Sequence, residues 1–142
     1  MTLIENDAVY AYLVSRGCTP SALRRGLSGL LERWASVVAA TERGQDESLD
    51  EWLNDMDLRD ILAGALAAAA PRERRSSATR LDDADARFHA TTERCPCLWG
   101  EEIAQNNGWR PEWQWWYFRR PGVPGLQLRE DLLVHGFLRP EP

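Results

Sequence analysis

Few residues in this chain are of types that carry chemistry outright. His89, Cys95 and Cys97 are zinc ligands by type, imidazole with two thiols, and Cys18 or His135 could complete a set of four. Their spacing argues otherwise. Structural zinc sites usually pair cysteines about two to four residues apart in two clusters, whereas Cys95-Pro96-Cys97 is a single cluster with one intervening proline. The expectation is two small thiols flanking a helix-ending proline, with no metal and no cofactor.

Asp82, Asp85 and His89 stand at i, i+3 and i+7, on one face of a helix, the arrangement from which bundles build carboxylate and imidazole sites. No second segment offers matching ligands, and Asp83 lies off that face. The spacing therefore predicts a solvated acidic face with an Asp85 to His89 hydrogen bond. A small metal-dependent or hydrolytic enzyme centred on His89, Asp85 and Asp82 is one alternative, although no Ser or Cys nucleophile is tied to His89 by motif.

The inventory removes other classes. All 17 basic residues are Arg, so P-loop lysines, Schiff bases and lysine general bases are absent. A net charge of -5 and a pI near 5.1 argue against a protein built to grip a phosphate backbone over a broad surface. The run from Ile61 to Ala70 is short of the roughly 20 residues needed to span a bilayer. The N-terminal residues show no basic and apolar signal pattern, and three cysteines suit a reducing compartment, so a cytoplasmic location is expected.

Two segments could recognise a partner. Residues 42–60 hold eight acids (Glu42, Asp46, Glu47, Asp50, Glu51, Asp55, Asp57, Asp60) against Arg43 and Arg59, net -6. Such a concentration repels itself and in return steers a basic partner. Residues 109–118 hold six aromatics, followed by Arg119 and Arg120. Aromatic rings with guanidinium groups make protein hot spots, single-strand nucleic-acid platforms, or simply a lid over a helical core. The partner-binding set expected from these segments is Asp46, Glu47, Asp50, Glu51, Asp55, Asp57, Trp113, Trp115, Trp116 and Arg119.

The positioning elements are helical. Residues 4–15 carry Ile4, Ala8, Val9, Tyr12 and Leu13 on one face, with Glu5, Asn6 and Asp7 near the start and Gly17 at the end. Thr19-Pro20 reads as an N-cap and first helical position, followed by an apolar stripe at Leu23, Leu27, Leu30, Leu31, Trp34, Val37 and Val38. Ser48-Leu49-Asp50-Glu51 is a capping box. The stripe after it, Leu49, Trp52, Leu53 and Met56, restarts at Leu58, Ile61, Leu62, Ala65, Leu66 and Ala69, which predicts a kink or a new cap at Asp57.

Arg72 to Ser77 reads as a polar connection. A further helix is expected from about Ser77 to Glu93, with a short piece from Leu98 to Gln105 stopped by Asn106-Asn107-Gly108. Trp113, Trp115 and Tyr117 alternate, which predicts an extended segment, and Leu128 to Val134 a last short helix ended by His135-Gly136.

The fold expected is mainly α: one domain over residues 1–138, a bundle of four to five helices with a Trp-rich irregular or short-stranded C-terminal segment, and an exposed tail at 139–142. The function expected is a non-enzymatic protein-binding module, in class terms an immunity protein or antitoxin that covers a basic toxin enzyme with its acidic surface, without nucleic acid or membrane as partner. Beside the enzyme alternative stands a nucleic-acid-binding regulator using Arg110, Arg119 and Arg120.

Overall fold

The computed structural model describes the backbone of residues 3–140 and the side chains from residue 8 onward, so the expectations for Ile4, Glu5, Asn6 and Asp7 and for the last two tail residues lie outside the described residues. The order is α1 (Leu3–Ser15), α2 (Pro20–Glu42), α3 (Leu49–Ala68), α4 (Pro71–Thr91), β1 (Thr92–Arg94), α5 (Glu101–Asn107), a 3-10 turn (Trp115–Phe118), β2 (Arg119–Pro121) and α6 (Leu126–Val134). The four long helices pack on one another, α2 against α4, α3 and α1, and α1 also against α3. β1 and β2 pair antiparallel, Thr92 opposite Pro121, Glu93 opposite Arg120 and Arg94 opposite Arg119.

Local chemistry explains the helix ends. The Thr19 hydroxyl accepts from the Ala22 amide at 3.2 Å, with Pro20 behind it. Ser48 and Glu51 satisfy each other's backbone amides in the capping box. α4 begins at Pro71 rather than near Ser77, because proline at the first position is already in helical φ and the arginines after it are good helix formers. Arg74 earns that position: its guanidinium donates to the carbonyls of Leu66, Ala67 and Ala69 at 3.2, 3.0 and 2.9 Å, closing the end of α3.

Four other expectations are corrected. α2 is two helical pieces joined at Gly26, whose φ of 59° and ψ of -148° suit glycine alone. The extended reading of 113–117 fails because a 3-10 turn places the adjacent residues Trp116 and Tyr117 both inside. The helical piece expected from Leu98 begins at Glu101, while Gly108 caps it in the left-handed conformation as expected. α3 runs without a kink at Asp57. The core position between Met56 and Leu62 is filled by Arg59, 6% exposed, so the stripe does not slip; it passes through a charged residue.

That arginine organises the core. Its Nε and Nη2 donate to the two carboxylate oxygens of Asp85 on α4 at 3.1 and 2.8 Å, and Trp34 Nε1 on α2 donates to the same carboxylate at 2.9 Å. Nη1 has no hydrogen-bond partner; the guanidinium carbon lies 4.7, 5.3 and 5.9 Å from the ring centres of Trp116, Trp115 and Trp34. Phe88 stacks on Trp52 at 5.6 Å and tilts against Trp34 at 4.9 Å, continuing the aromatic layer. The Trp-rich segment is thus tied to the bundle by a buried cation.

A second joint holds α6. Asp46, just before α3, accepts from the Gln127 amide at 3.0 Å, while Asp131 on α6 accepts from the Leu49 amide of α3 at 2.9 Å, so each helix supplies the other's N-terminal acceptor. Gly125 is required there, since a Cβ would come within 2.8 Å of the Asp46 Cα.

Asp85→Ala should cost about 3–5 kcal/mol in urea unfolding, because it strands a buried guanidinium. Replacing both partners, Arg59→Met with Asp85→Leu, should recover most of that loss. A cost below about 1 kcal/mol for the single variant would contradict the arrangement.

Candidate functional site

The acidic segment divides once its partners are seen. Half of its eight carboxylates are committed to partners far along the chain: Glu42 pairs with Arg87, Asp46 caps α6, Asp57 accepts from the Tyr117 hydroxyl at 2.7 Å, and Asp60 pairs with Arg16 at 3.0 Å, while Glu51 caps its own helix. Asp50 and Glu51 lie exposed on the first turn of α3, where carboxylates favour the helix dipole. Glu47, Glu51 and Asp55 line one open groove of about 470 Å3 between the ends of α2 and α3, with Arg43 on its other side.

Glu47 and Asp55 are both half-buried and line this groove together. Burial first, then the Asp55 charge and a hydrogen bond with Asp55, push Glu47 up to about 8. Burial also raises Asp55, against the pull of Arg33. Burial and the neighbouring negative charge thus both favour the protonated form of Glu47.

The aromatic segment divides as well. Trp116 is buried and Trp115 half-buried in the cage around Arg59, whereas Trp113 is 71% exposed. Trp109 stacks on buried Tyr117 at 4.0 Å. Trp116 belongs to the core rather than to an accessible contact surface, because α3 needs a cover over Arg59.

Arg119 is held by its Nε on the Thr92 hydroxyl at 2.7 Å and by Nη2 on the carbonyls of Thr92 and His89 at 2.8 and 3.3 Å. It lines a cleft of about 240 Å3 with His89, Arg94, Pro111, Glu112, Trp115 and Phe118.

His89 bonds through Nδ1 to the Asp85 backbone carbonyl at 2.8 Å, not to its carboxylate, which is occupied by Arg59 and Trp34. Asp82 is exposed on the same helix, so the three residues share a face without forming a cluster. Cys95 and Cys97 line a different, largely apolar cleft of about 430 Å3 with Trp109 and Phe137. Burial pushes the Cys95 thiol up to about 12 and raises that of Cys97, so both are thiols at neutral pH. Among the described residues no three His, Cys, Asp or Glu side chains converge on a point that could hold a metal ion, and no helix is long and apolar enough to cross a membrane.

The chain matches no protein-family model, no curated protein and no solved structure. The site therefore rests on its own geometry. The sequence reading did not single out Arg94, because its place opposite Arg119 across the ribbon is a pairing of residues far apart in the chain.

The sign of the Glu47 effect on stability follows from proton counts. The unfolded chain releases this proton near 4.5 and the folded chain near 8, so the folded state holds more protons in between and loses stability as pH rises through that window. Glu47→Gln should gain stability relative to the parent as pH goes from 5 to 8.5, measured by urea unfolding. Parallel pH profiles for the two proteins would show that Glu47 is not raised.

Proposed function

We propose that the chain is a non-enzymatic protein-binding module that receives a basic partner in the groove of Glu47, Glu51 and Asp55. The observation that carries this reading is the Glu47–Asp55 pair, two half-buried carboxylates lining one groove. Such a pair works against the fold at neutral pH, and an asparagine or glutamine would serve packing alone. A lysine or arginine from a partner replaces the Glu47 proton with a fixed charge and satisfies both carboxylates in one hydrogen-bonded set. Asp50 and Glu51 extend the negative field outward and accelerate encounter.

In class terms this suits an immunity protein or antitoxin in the cytoplasm, neutralising an enzyme whose active site is basic. Exposed Trp113 supplies a ring of the kind that dominates interface hot spots, its substitution leaving the core untouched. Asp57, which holds Tyr117, and Asp46, which holds α6, are excluded from the docking set by their internal bonds.

The experiment is binding kinetics at two ionic strengths against the protein that co-purifies from the native source. Asp50→Lys with Asp55→Lys should lower the association rate roughly 10-fold at low salt and flatten its salt dependence. Complex formation at pH 7 should release a proton, read from calorimetry in buffers of different ionisation enthalpy. An unchanged association rate at low salt would overturn the reading.

A further inference from the structure

The two-stranded ribbon contains one matched and one mismatched charge pair. Glu93 and Arg120 face each other and form an ion pair at 3.0 Å. One step along, Arg94 faces Arg119, and like charges directly opposite on paired strands repel. Both line the same cleft, where partial burial first, and the Arg94 charge after it, depress the Arg119 guanidinium below its usual value. Arg94 has no hydrogen bond or ion pair with another side chain among the described residues.

The rest of the cleft is arranged around these two cations. Arg119 is locked by its bonds to Thr92 and to the His89 carbonyl, which use Nε and Nη2 and leave Nη1 without a protein acceptor. His89 donates from Nδ1, because the Asp85 carbonyl it meets can only accept. Its Nε2 is left without a protein partner, and its ring lies 4.3 Å from Trp115, which with Phe118 forms an aromatic wall. Glu112 is the single acid of the lining.

We propose that this cleft is a binding site for the phosphate group of a small aromatic phosphomonoester, held between Arg94 and Arg119 with the ring against Trp115 and Phe118. A doubly charged group with three terminal oxygens matches two guanidinium groups, whereas one guanidinium suffices for a carboxylate. The ligand supplies the negative charge that the ribbon lacks opposite Arg94, and Glu112 on the rim opposes it. This site is separate from the groove of Glu47 and Asp55, so each reading stands or falls alone.

The test is calorimetric titration of the full chain with phenyl phosphate at pH 7 and low salt, with benzoate and an unphosphorylated oligonucleotide as comparison ligands. Phenyl phosphate should bind one to one, at least about 10-fold more tightly than benzoate. Arg94→Ala should weaken it at least about 10-fold while leaving the melting temperature of the ligand-free protein unchanged or higher, since a repulsive pair has been removed. Glu112→Gln should tighten binding.

Absence of saturation by about 10 mM phenyl phosphate, which is weaker than one charge-assisted contact supports, would overturn the proposal, as would equal affinity for benzoate or indifference to Arg94→Ala. Tighter, Arg94-dependent binding of the oligonucleotide would overturn it in favour of a site for a nucleic-acid backbone.

Discussion

A guanidinium at the centre of a 142-residue domain must have its charge answered, and the architecture around Arg59 follows from that demand. Asp85 supplies the opposite charge from α4 and is itself steadied by Trp34 from α2, so one carboxylate joins three helices. The outer face of the guanidinium is covered by Trp115 and Trp116, which carry no formal charge but present electron-rich rings. A cover of this kind has to come from outside the four-helix core, and the 3-10 turn at Trp115–Phe118 provides it.

The same anchoring shapes the surface. Once Trp115 and Trp116 are drawn onto Arg59, the flanking chain is positioned: Trp113 is left outside, Arg119 enters the ribbon with β1, and Trp52 Nε1 donates to the Arg119 carbonyl at 3.2 Å. The ribbon then sets Arg94 against Arg119 beside His89, at the end of the helix that carries Asp85. The cationic cleft is therefore a geometric consequence of how the buried ion pair is covered. The acidic groove has a different origin, the meeting of the ends of α2 and α3, where Glu47 and Asp55 are pressed together.

Charge counting along a chain treats every acid in a run alike, and here that is misleading. Glu42, Asp46, Asp57 and Asp60 each neutralise or cap something distant in sequence, respectively Arg87, the start of α6, the Tyr117 hydroxyl and Arg16. A net charge of -6 over 42–60 thus overstates the free field at the surface, and the part that faces outward is concentrated on Asp50, Glu51 and the Glu47–Asp55 pair.

Local interactions were legible because they are written in neighbouring residues: the Thr19 and Ser48 caps, the stripes that bury Trp34 and Trp52, the Gly108 stop, and the mainly helical character of the chain. The apparent break at Asp57 shows where this ends. An apolar-only count rejects Arg59 from its stripe, since nothing within a few residues announces the carboxylate and the indole rings that let a charge occupy a core position. The alternation at 113–117 misled for the same reason, because Trp115 answers to Arg59 and Phe88, and Tyr117 to Trp109 and Asp57, rather than to a pleated strand. By itself the sequence determined the helices and most of their inward faces, through periodicity and capping that act over three or four residues. Only the tertiary structure decided which charges are spent internally, which tryptophans are covered, and that Arg94 meets Arg119, because each of those outcomes depends on pairs of residues that only folding brings into contact.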